Sequence, residues 1–373
     1  MRFAWVGLAA LAVAMGVGRF AFTPLLPMMQ QDAGLSFAGG GWLASANYLG
    51  YLAGALWAGA TRVNSATAIR AGLAAIGLAT LAMAFDSGFA AWALLRAVAG
   101  VASAWVLIHT SAWCFERIVP LGRPILAGVL FSGVGIGIIA AGSLCVLLMA
   151  MGKGSAIAWS VLGAVSIATT IAIWPVFGSS VQEEKASPGP HDWTWAQARL
   201  VIAYGAYGFG YIIPATFLPV MAKEVVSDPA VFGWAWPAYG LAALLSTLGV
   251  ALLSGTNGKG TGNRNAWIAS HLVMALGVAA PVFWPGIGGI VLAALCVGGT
   301  FVVITMVGLQ EARTVAGPQA PKLMAAMTAA FAAGQIVGPL SVSAIVSLGG
   351  GFSAALLIAC GFLLAGAMLL AKS

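Results

Sequence analysis

The chain has 373 residues, 61% of them hydrophobic and only 7% charged, where a soluble domain carries about 25% charged residues. With a mean hydropathy of +1.01, this argues against a soluble enzyme, a disordered chain and a nucleic-acid binder. The net charge of +7 reflects where lysines and arginines fall between apolar runs, not a basic patch.

A bilayer core of ~30 Å takes about 20 apolar residues of helix. Twelve such runs are predicted: 5–27, 41–60, 70–85, 89–113, 124–149, 155–178, 199–222, 231–254, 266–284, 286–309, 323–347 and 351–371. The first resembles a signal peptide, with Arg2 as its basic flank. Arg19 and Pro24 interrupt it and no small-x-small cleavage site follows, so it is read as a retained helix. The longest connection, 179–198, holds Glu183, Glu184, Lys185, Pro188 and Pro190. It divides the chain into an N-terminal six-helix half (1–178), a cytoplasmic linker (179–198) and a C-terminal six-helix half (199–373). With the N-terminus inside, 12 lysines and arginines lie on the cytoplasmic side and 2, Lys153 and Lys223, outside. Both termini are therefore expected in the cytoplasm.

The 50 glycines are scattered without a collagen period, which suits close helix packing. The four cysteines, Cys114, Cys145, Cys296 and Cys360, lie in apolar runs without a CxxC pair, so neither a zinc site nor a disulfide frame is expected. Shifting the chain by 192 residues aligns 13 identities over positions 14–56, among them Gly16/Gly208, Pro27/Pro219, Gly41/Gly233 and Trp42/Trp234. Further along, Gly133-x3-Gly137 parallels Gly334-x3-Gly338. Six helices separate the copies, so both run the same way through the membrane, as in a parallel repeat about an axis along the membrane normal.

Gly18-Arg19-Phe20-Ala21-Phe22-Thr23-Pro24-Leu25-Leu26-Pro27, followed by Gly41-Trp42-Leu43-Ala44-Ser45-Ala46-Asn47-Tyr48-Leu49-Gly50-Tyr51, resembles the YbfB/YjiJ-type branch of the major facilitator superfamily. The superfamily's span-four pattern, Arg-x3-Gly-x3-small, matches Arg96, Gly100 and Ala104. Its span-five glycine pattern is partly present at Gly133, Gly135, Gly137 and Gly142, without the usual proline. Gly54 and Arg62 align with the loop signature between spans two and three, but its aspartate is absent. The resemblance covers the whole chain. It implies an all-α membrane protein of twelve transmembrane helices in two pseudo-symmetric halves, a transport role and a monomer in a bacterial inner membrane.

Two arginines lie within spans, Arg19 and Arg96, both ~10–13 Å below the outer face by the 1.5 Å helical rise. A charge there costs at least ~2.5–3.5 kcal/mol. Arg19 reads either as an anion clamp, since a guanidinium offers a bidentate fork, or as a gate residue bonded to helix-end carbonyls. Arg96 reads more readily as structural or proton-linked than as a substrate contact. The nine acids all fall at predicted helix ends or in loops, so no carboxylate is expected to neutralise either arginine; the missing anion is read as the substrate itself, with backbone carbonyls or water as the alternative partners. Without a buried acid, coupling is expected by exchange, by uniport, or with a proton carried on the substrate or a histidine.

Tyr204, Tyr207 and Tyr211 share one helix face, and Tyr211 occupies the repeat position of Arg19. Asn47, Tyr51 and Gln335 are polar groups in apolar surroundings. With Arg19, Arg96, Tyr207 and Tyr211 they form the candidate substrate site. His109, Glu116 and Arg117 are read as a gating or coupling group, and His271 as a packed residue. Trp42, Trp234 and Trp236 near span ends fit an interfacial aromatic belt. No HExxH, aspartate pair or nucleophile elbow appears, and Gly258-Lys259-Gly260-Thr261 is not a phosphate loop. No enzymatic activity, metal or cofactor is expected. The favoured function is transport of a small organic anion by alternating access. The alternatives are efflux of hydrophobic or cationic compounds, with the arginines structural, and a membrane enzyme or scaffold.

Overall fold

The structure is a computed structural model that describes residues 1–61, 63–178, 193–225, 229–256, 262–347 and 351–371. The described residues are helical nearly throughout and form no strand. The first predicted span is a compound rod: α1 (Arg2–Leu11), a wide-turn π segment (Ala12–Phe20) and α2 (Phe22–Asp32). Then follow α3 (Phe37–Ala60), α4 (Ser65–Ala82), α5 (Phe89–Ile118), α6 (Ile125–Ala150) and α7 (Ser155–Ile173). The second set is α8 (Trp195–Val225), α9 (Pro229–Thr256), α10 (Gly262–Phe283), α11 (Ile287–Ala316), α12 (Ala320–Ser347) and α13 (Phe352–Ala371). Each predicted span thus has its helix. Boundaries move by a few residues: α4 starts at Ser65 and α8 at Trp195, inside the stretch expected as linker. Most of that linker, 179–192, lies outside the described residues, as does Arg62.

Local chemistry sets the ends. Ser36 accepts from the Gly39 amide at 3.0 Å to open α3, and Asn64 accepts from the Ala66 amide at 3.0 Å to open α4. Gly88 and Gly286, at φ +82° and +108°, make the turns into α5 and α11. Asp32, at the end of α2, takes the backbone amide and hydroxyl of Ser155 at the start of α7. A carboxylate there meets the positive end of the helix dipole.

The packing repeats with the chain. α1 lies on α6 as α8 lies on α12, α3 on α5 as α9 on α11, and α4 on α5 and α7 as α10 on α11 and α13. Gly133 and Gly137 of α6 face the backbone of Leu8, Ala12 and Gly16. Gly334 and Gly338 of α12 face Gly205, Phe209 and Ile212 of α8. The two predicted glycine pairs therefore do the same work against the first helix of their own half: with no Cβ, the backbones close up. Between the halves α6 packs along α9 and α3 along α12, one contact being the pseudo-symmetry mate of the other.

The outside of the bundle is apolar. Leu49, Leu56, Leu245, Leu252, Leu276 and Phe283 all point outward and exposed. By length and composition, nine stretches of the described residues can cross a membrane, one of them running through both α11 and α12. The protein is a multi-pass membrane protein.

Candidate functional site

The π segment carries Arg19, the centre of the candidate site. A wide turn bonds each amide to the carbonyl five residues back, and Pro24 has no amide to give. Pro24 therefore cannot serve the Arg19 carbonyl as the donor five residues on. Arg96 of α5 supplies one: its Nη2 donates to the Arg19 carbonyl and its Nη1 to the Gly18 carbonyl, each at 3.3 Å. Asn47 of α3 donates from Nδ2 to the Gly18 carbonyl at 3.3 Å and to the Arg96 carbonyl at 2.9 Å. Ser103, two turns beyond Arg96, stands 2.8 Å from the Ala14 carbonyl. Arg96 also lies 4.8 Å from the centre of the Phe22 ring. Arg96 and Asn47 were expected among the substrate contacts; their bonded donors are turned to the backbone carbonyls of Gly18, Arg19 and Arg96.

Arg19 points the other way. Its side chain is 4% exposed, and Nη2 donates to the amide oxygen of Gln335 on α12, across the interface between halves. The guanidinium lies 3.8 Å from the centre of the Tyr51 ring, 5.5 Å from Phe331, and 5.7 Å from both Phe20 and Tyr48. Nε and Nη1 are buried without a hydrogen-bond partner. Among the described residues the ion pairs are Arg117–Glu116 and Arg264–Glu311, so no carboxylate neutralises Arg19.

The three tyrosines of α8 share a buried face. The rings of Tyr204, Tyr207 and Tyr211 lie 5.6, 4.8 and 6.1 Å from Phe331. Positions 19 and 211, equivalent in the repeat, thus converge on one ring. Tyr211 also stacks on Phe301 at 5.5 Å, and Phe301 on Tyr239 at 5.0 Å. The Tyr207 hydroxyl, expected in the substrate site, donates to the Phe301 carbonyl at 2.8 Å, beside Thr305 at 3.4 Å. A cavity of about 20 Å³ lies between the halves. Met15, Phe20, Tyr51, Leu107 and Val134 wall it on one side, and Tyr204, Tyr207, Phe301, Val302, Thr305 and Phe331 on the other. That space holds a water or two; an organic solute needs the helices to separate.

Phe20, Tyr48, Tyr239, Phe301, Thr305 and Phe331 were missed from the sequence. Phe331 precedes Gln335 by four residues and Tyr48 precedes Tyr51 by three, so helical spacing from a polar neighbour was the available signal. Trp236 is a correction too. Trp42 and Trp234 are exposed at 69% and 60% and fit a belt, but Trp236 turns inward and stacks on Tyr239 at 5.3 Å, near Phe20.

The gating candidates sit further along α5. His109 Nδ1 is 3.4 Å from the Ser65 hydroxyl and its ring 5.9 Å from Trp105. Arg117, two turns on, donates to the Trp113 carbonyl at 2.9 Å, stacks on the Trp113 ring at 3.9 Å and meets Glu116 at 3.5 Å. His271 is fully buried, with its ring nitrogens 3.2 and 3.4 Å from the Trp267 and Ala203 carbonyls. Arg264 of α10 and the buried Glu311 of α11 pair at 2.7 Å, a contact the sequence reading did not single out. No group of side chains among the described residues could hold a metal ion.

A family model described as an uncharacterised MFS-type transporter, YbfB, matches residues 11–371. An uncharacterized MFS-type transporter of Bacillus subtilis, YceJ, is 38% identical over 93 residues, which span 24% of this chain and 24% of that protein. The crystal structure of the human organic anion transporter MFSD10 superposes with a TM-score of 0.73 at 15% identity, covering 98% of this chain and 99% of that one.

Proposed function

Given that the chain belongs to the YbfB-type family of the major facilitator superfamily, and is thus a membrane transporter rather than an enzyme, we propose that it carries a small organic anion by alternating access. The observation behind this reading is Arg19: a buried guanidinium between the halves, with two donors unpartnered and, among the described residues, no carboxylate paired with it. A buried cation of this kind is costly unless an anion completes it, and its fork suits carboxylate, sulfonate or phosphate. The human transporter of the same fold is named for organic anions; at 15% identity that likeness is one of fold, so the reading stands on Arg19.

Residues 1–178 and 199–373 then act as two bodies about the central cavity, joined by a cytoplasmic linker. The protein works as a monomer in a bacterial inner membrane with both termini inside, as the lysine and arginine bias indicates. Arg19, Tyr51 and Gln335 hold the anion, with Tyr207 and Tyr211 behind them. His109, Glu116 and Arg117 belong to the cytoplasmic gate. The aromatic wall of Phe20, Phe301 and Phe331 supports the competing reading, efflux of hydrophobic cations with Arg19 structural.

Thermal stability of the detergent-purified protein separates the two. A ligand that binds only the folded state raises the melting temperature. Small carboxylates, sulfonates, sugar phosphates and lipophilic cations form the panel, with Arg19→Gln beside the wild type. Stabilisation by one anion class, lost in Arg19→Gln, is the expected result. Stabilisation by lipophilic cations that survives Arg19→Gln would sink the anion reading.

A further inference from the structure

We infer that the transported anion is a monovalent organic acid with a flat aromatic body; this rests on the anion reading of Arg19. Three observations carry it.

The first is charge. Two buried guanidiniums stand close together, but Arg96 gives both its Nη atoms to the Gly18 and Arg19 carbonyls. Arg96 keeps its charge and one unpartnered donor, Nε, whereas Arg19 has both Nε and Nη1 unpartnered, so one guanidinium fork is open to one anionic group. A second carboxylate, or the second charge of a phosphate, would have no open fork of its own.

The second is the polarity of the wall. The cavity beside Arg19 offers aromatic faces and aliphatic side chains. Two of its four hydroxyls are engaged with the backbone: Tyr207 with the Phe301 carbonyl, and Thr305 with the same carbonyl at 3.0 Å. A sugar or polyol needs a partner for each hydroxyl it buries, and beyond these the wall offers only the hydroxyls of Tyr51 and Tyr204.

The third is shape. The guanidinium lies against the rings of Tyr51, Phe20 and Phe331. Phe331 faces Tyr207 at 4.8 Å and 35°, and Phe301 faces Tyr211 at 5.5 Å and 19°. When the halves part at the cavity, Phe20 and Tyr51 stay beside the charge on the N-terminal half, and Phe331 of α12 faces them across the opened space. A planar ring bearing one carboxylate places its charge on Arg19 and its π face on these rings, the arrangement aromatic pairs favour.

The test is the dissociation constant of four probes on the purified full-length protein, by isothermal titration. The probes are benzoate, cyclohexanecarboxylate, phthalate and glucose 6-phosphate. Benzoate and cyclohexanecarboxylate match in charge and size and differ in the ring. Benzoate is expected to bind about fivefold tighter than cyclohexanecarboxylate and at least about tenfold tighter than phthalate or glucose 6-phosphate. Phe331→Leu should bring the first ratio towards one while carboxylate binding persists. Cyclohexanecarboxylate equal to benzoate, or phthalate or glucose 6-phosphate binding as tightly, would overturn this inference and leave the anion reading standing. No binding of any anion, or benzoate binding untouched in Arg19→Gln, would remove the anion reading itself. The four-probe comparison on wild type decides the inference even if a variant does not fold.

Discussion

Arg19 of the N-terminal half and Gln335 of α12 are hydrogen-bonded across the interface between the halves, Nη2 donating to the amide oxygen. A neutral acceptor thus occupies one face of the fork, where a substrate carboxylate would make a charge-assisted bond roughly twice as strong. Gln335→Glu keeps the shape and supplies a permanent anion. The variant should melt higher than wild type and lose at least tenfold in anion affinity, about 1.4 kcal/mol, because its own carboxylate competes from within. Titrating the best anion of the panel against both proteins checks this. Unchanged affinity would show that Gln335 does not share the anion's place on Arg19.

Arg96 has the opposite assignment. Its two Nη bonds go to the Gly18 and Arg19 carbonyls of the π segment. Arg96→Met leaves Gly18 its bond from Asn47 but takes the side-chain donor from the Arg19 carbonyl in an apolar interior, at a cost of about 1–3 kcal/mol, partly offset by removing a buried charge. We expect a lower melting temperature, with anion binding weakened less than in Arg19→Gln. Loss of anion binding as complete as in Arg19→Gln, at unchanged melting temperature, would return Arg96 to the substrate contacts.

The twelve spans were legible because the bilayer asks for long apolar runs and little else. The glycine repeats were legible because close backbone approach tolerates no Cβ. In the site, Arg19 and Gln335 stood out as polar groups in apolar runs. Their aromatic company did not. Phe301 is buried beside the cavity and Phe283 is 78% exposed on the outside of the bundle, yet in sequence both are a phenylalanine in an apolar helix. Trp234 and Trp236 differ in the same way, since two residues of helix is 200° of rotation. Asn47 and Arg96 were visible as polar, but not the direction of their donors. That depends on the path of the π segment's backbone, which has no signature in hydrophobic periodicity.

The glycine contacts predict their own substitutions. A Cβ on Gly334 would stand 2.6 Å from the Gly205 carbonyl oxygen and 2.6 Å from the Phe209 amide nitrogen. Both are backbone atoms of a packed helix and cannot swing aside, so Gly334→Ala should cost about 1–3 kcal/mol. Gly299, within α11, has nothing within 4 Å of the same position. Gly299→Ala should be neutral or slightly stabilising, since alanine is the better helix former. Melting curves of the two variants read the difference directly. Equal effects would mean that the α8–α12 contact is looser than its geometry.

The Arg264–Glu311 pair on the C-terminal half gives a prediction of a different kind. Glu311 keeps 7% of its side-chain exposure and Arg264 keeps 24%, so the carboxylate is the buried partner and the cation reaches water. Removing the cation leaves a buried charge uncompensated, whereas removing both charges leaves two neutral amides that can bond each other. Arg264→Gln should therefore be the most damaging of the set, by roughly 2–4 kcal/mol, below the fully buried limit because Arg264 is partly solvated. Glu311→Gln should cost less, since the freed guanidinium can hydrate. The double variant should recover part of the loss, giving a coupling within the range of about 0.5–3 kcal/mol found for contacting residues. The cycle is measured from melting temperatures of the four purified proteins. Additive effects would show that the pair adds nothing beyond its separate side chains, and α10 would then be held on α11 by apolar packing alone.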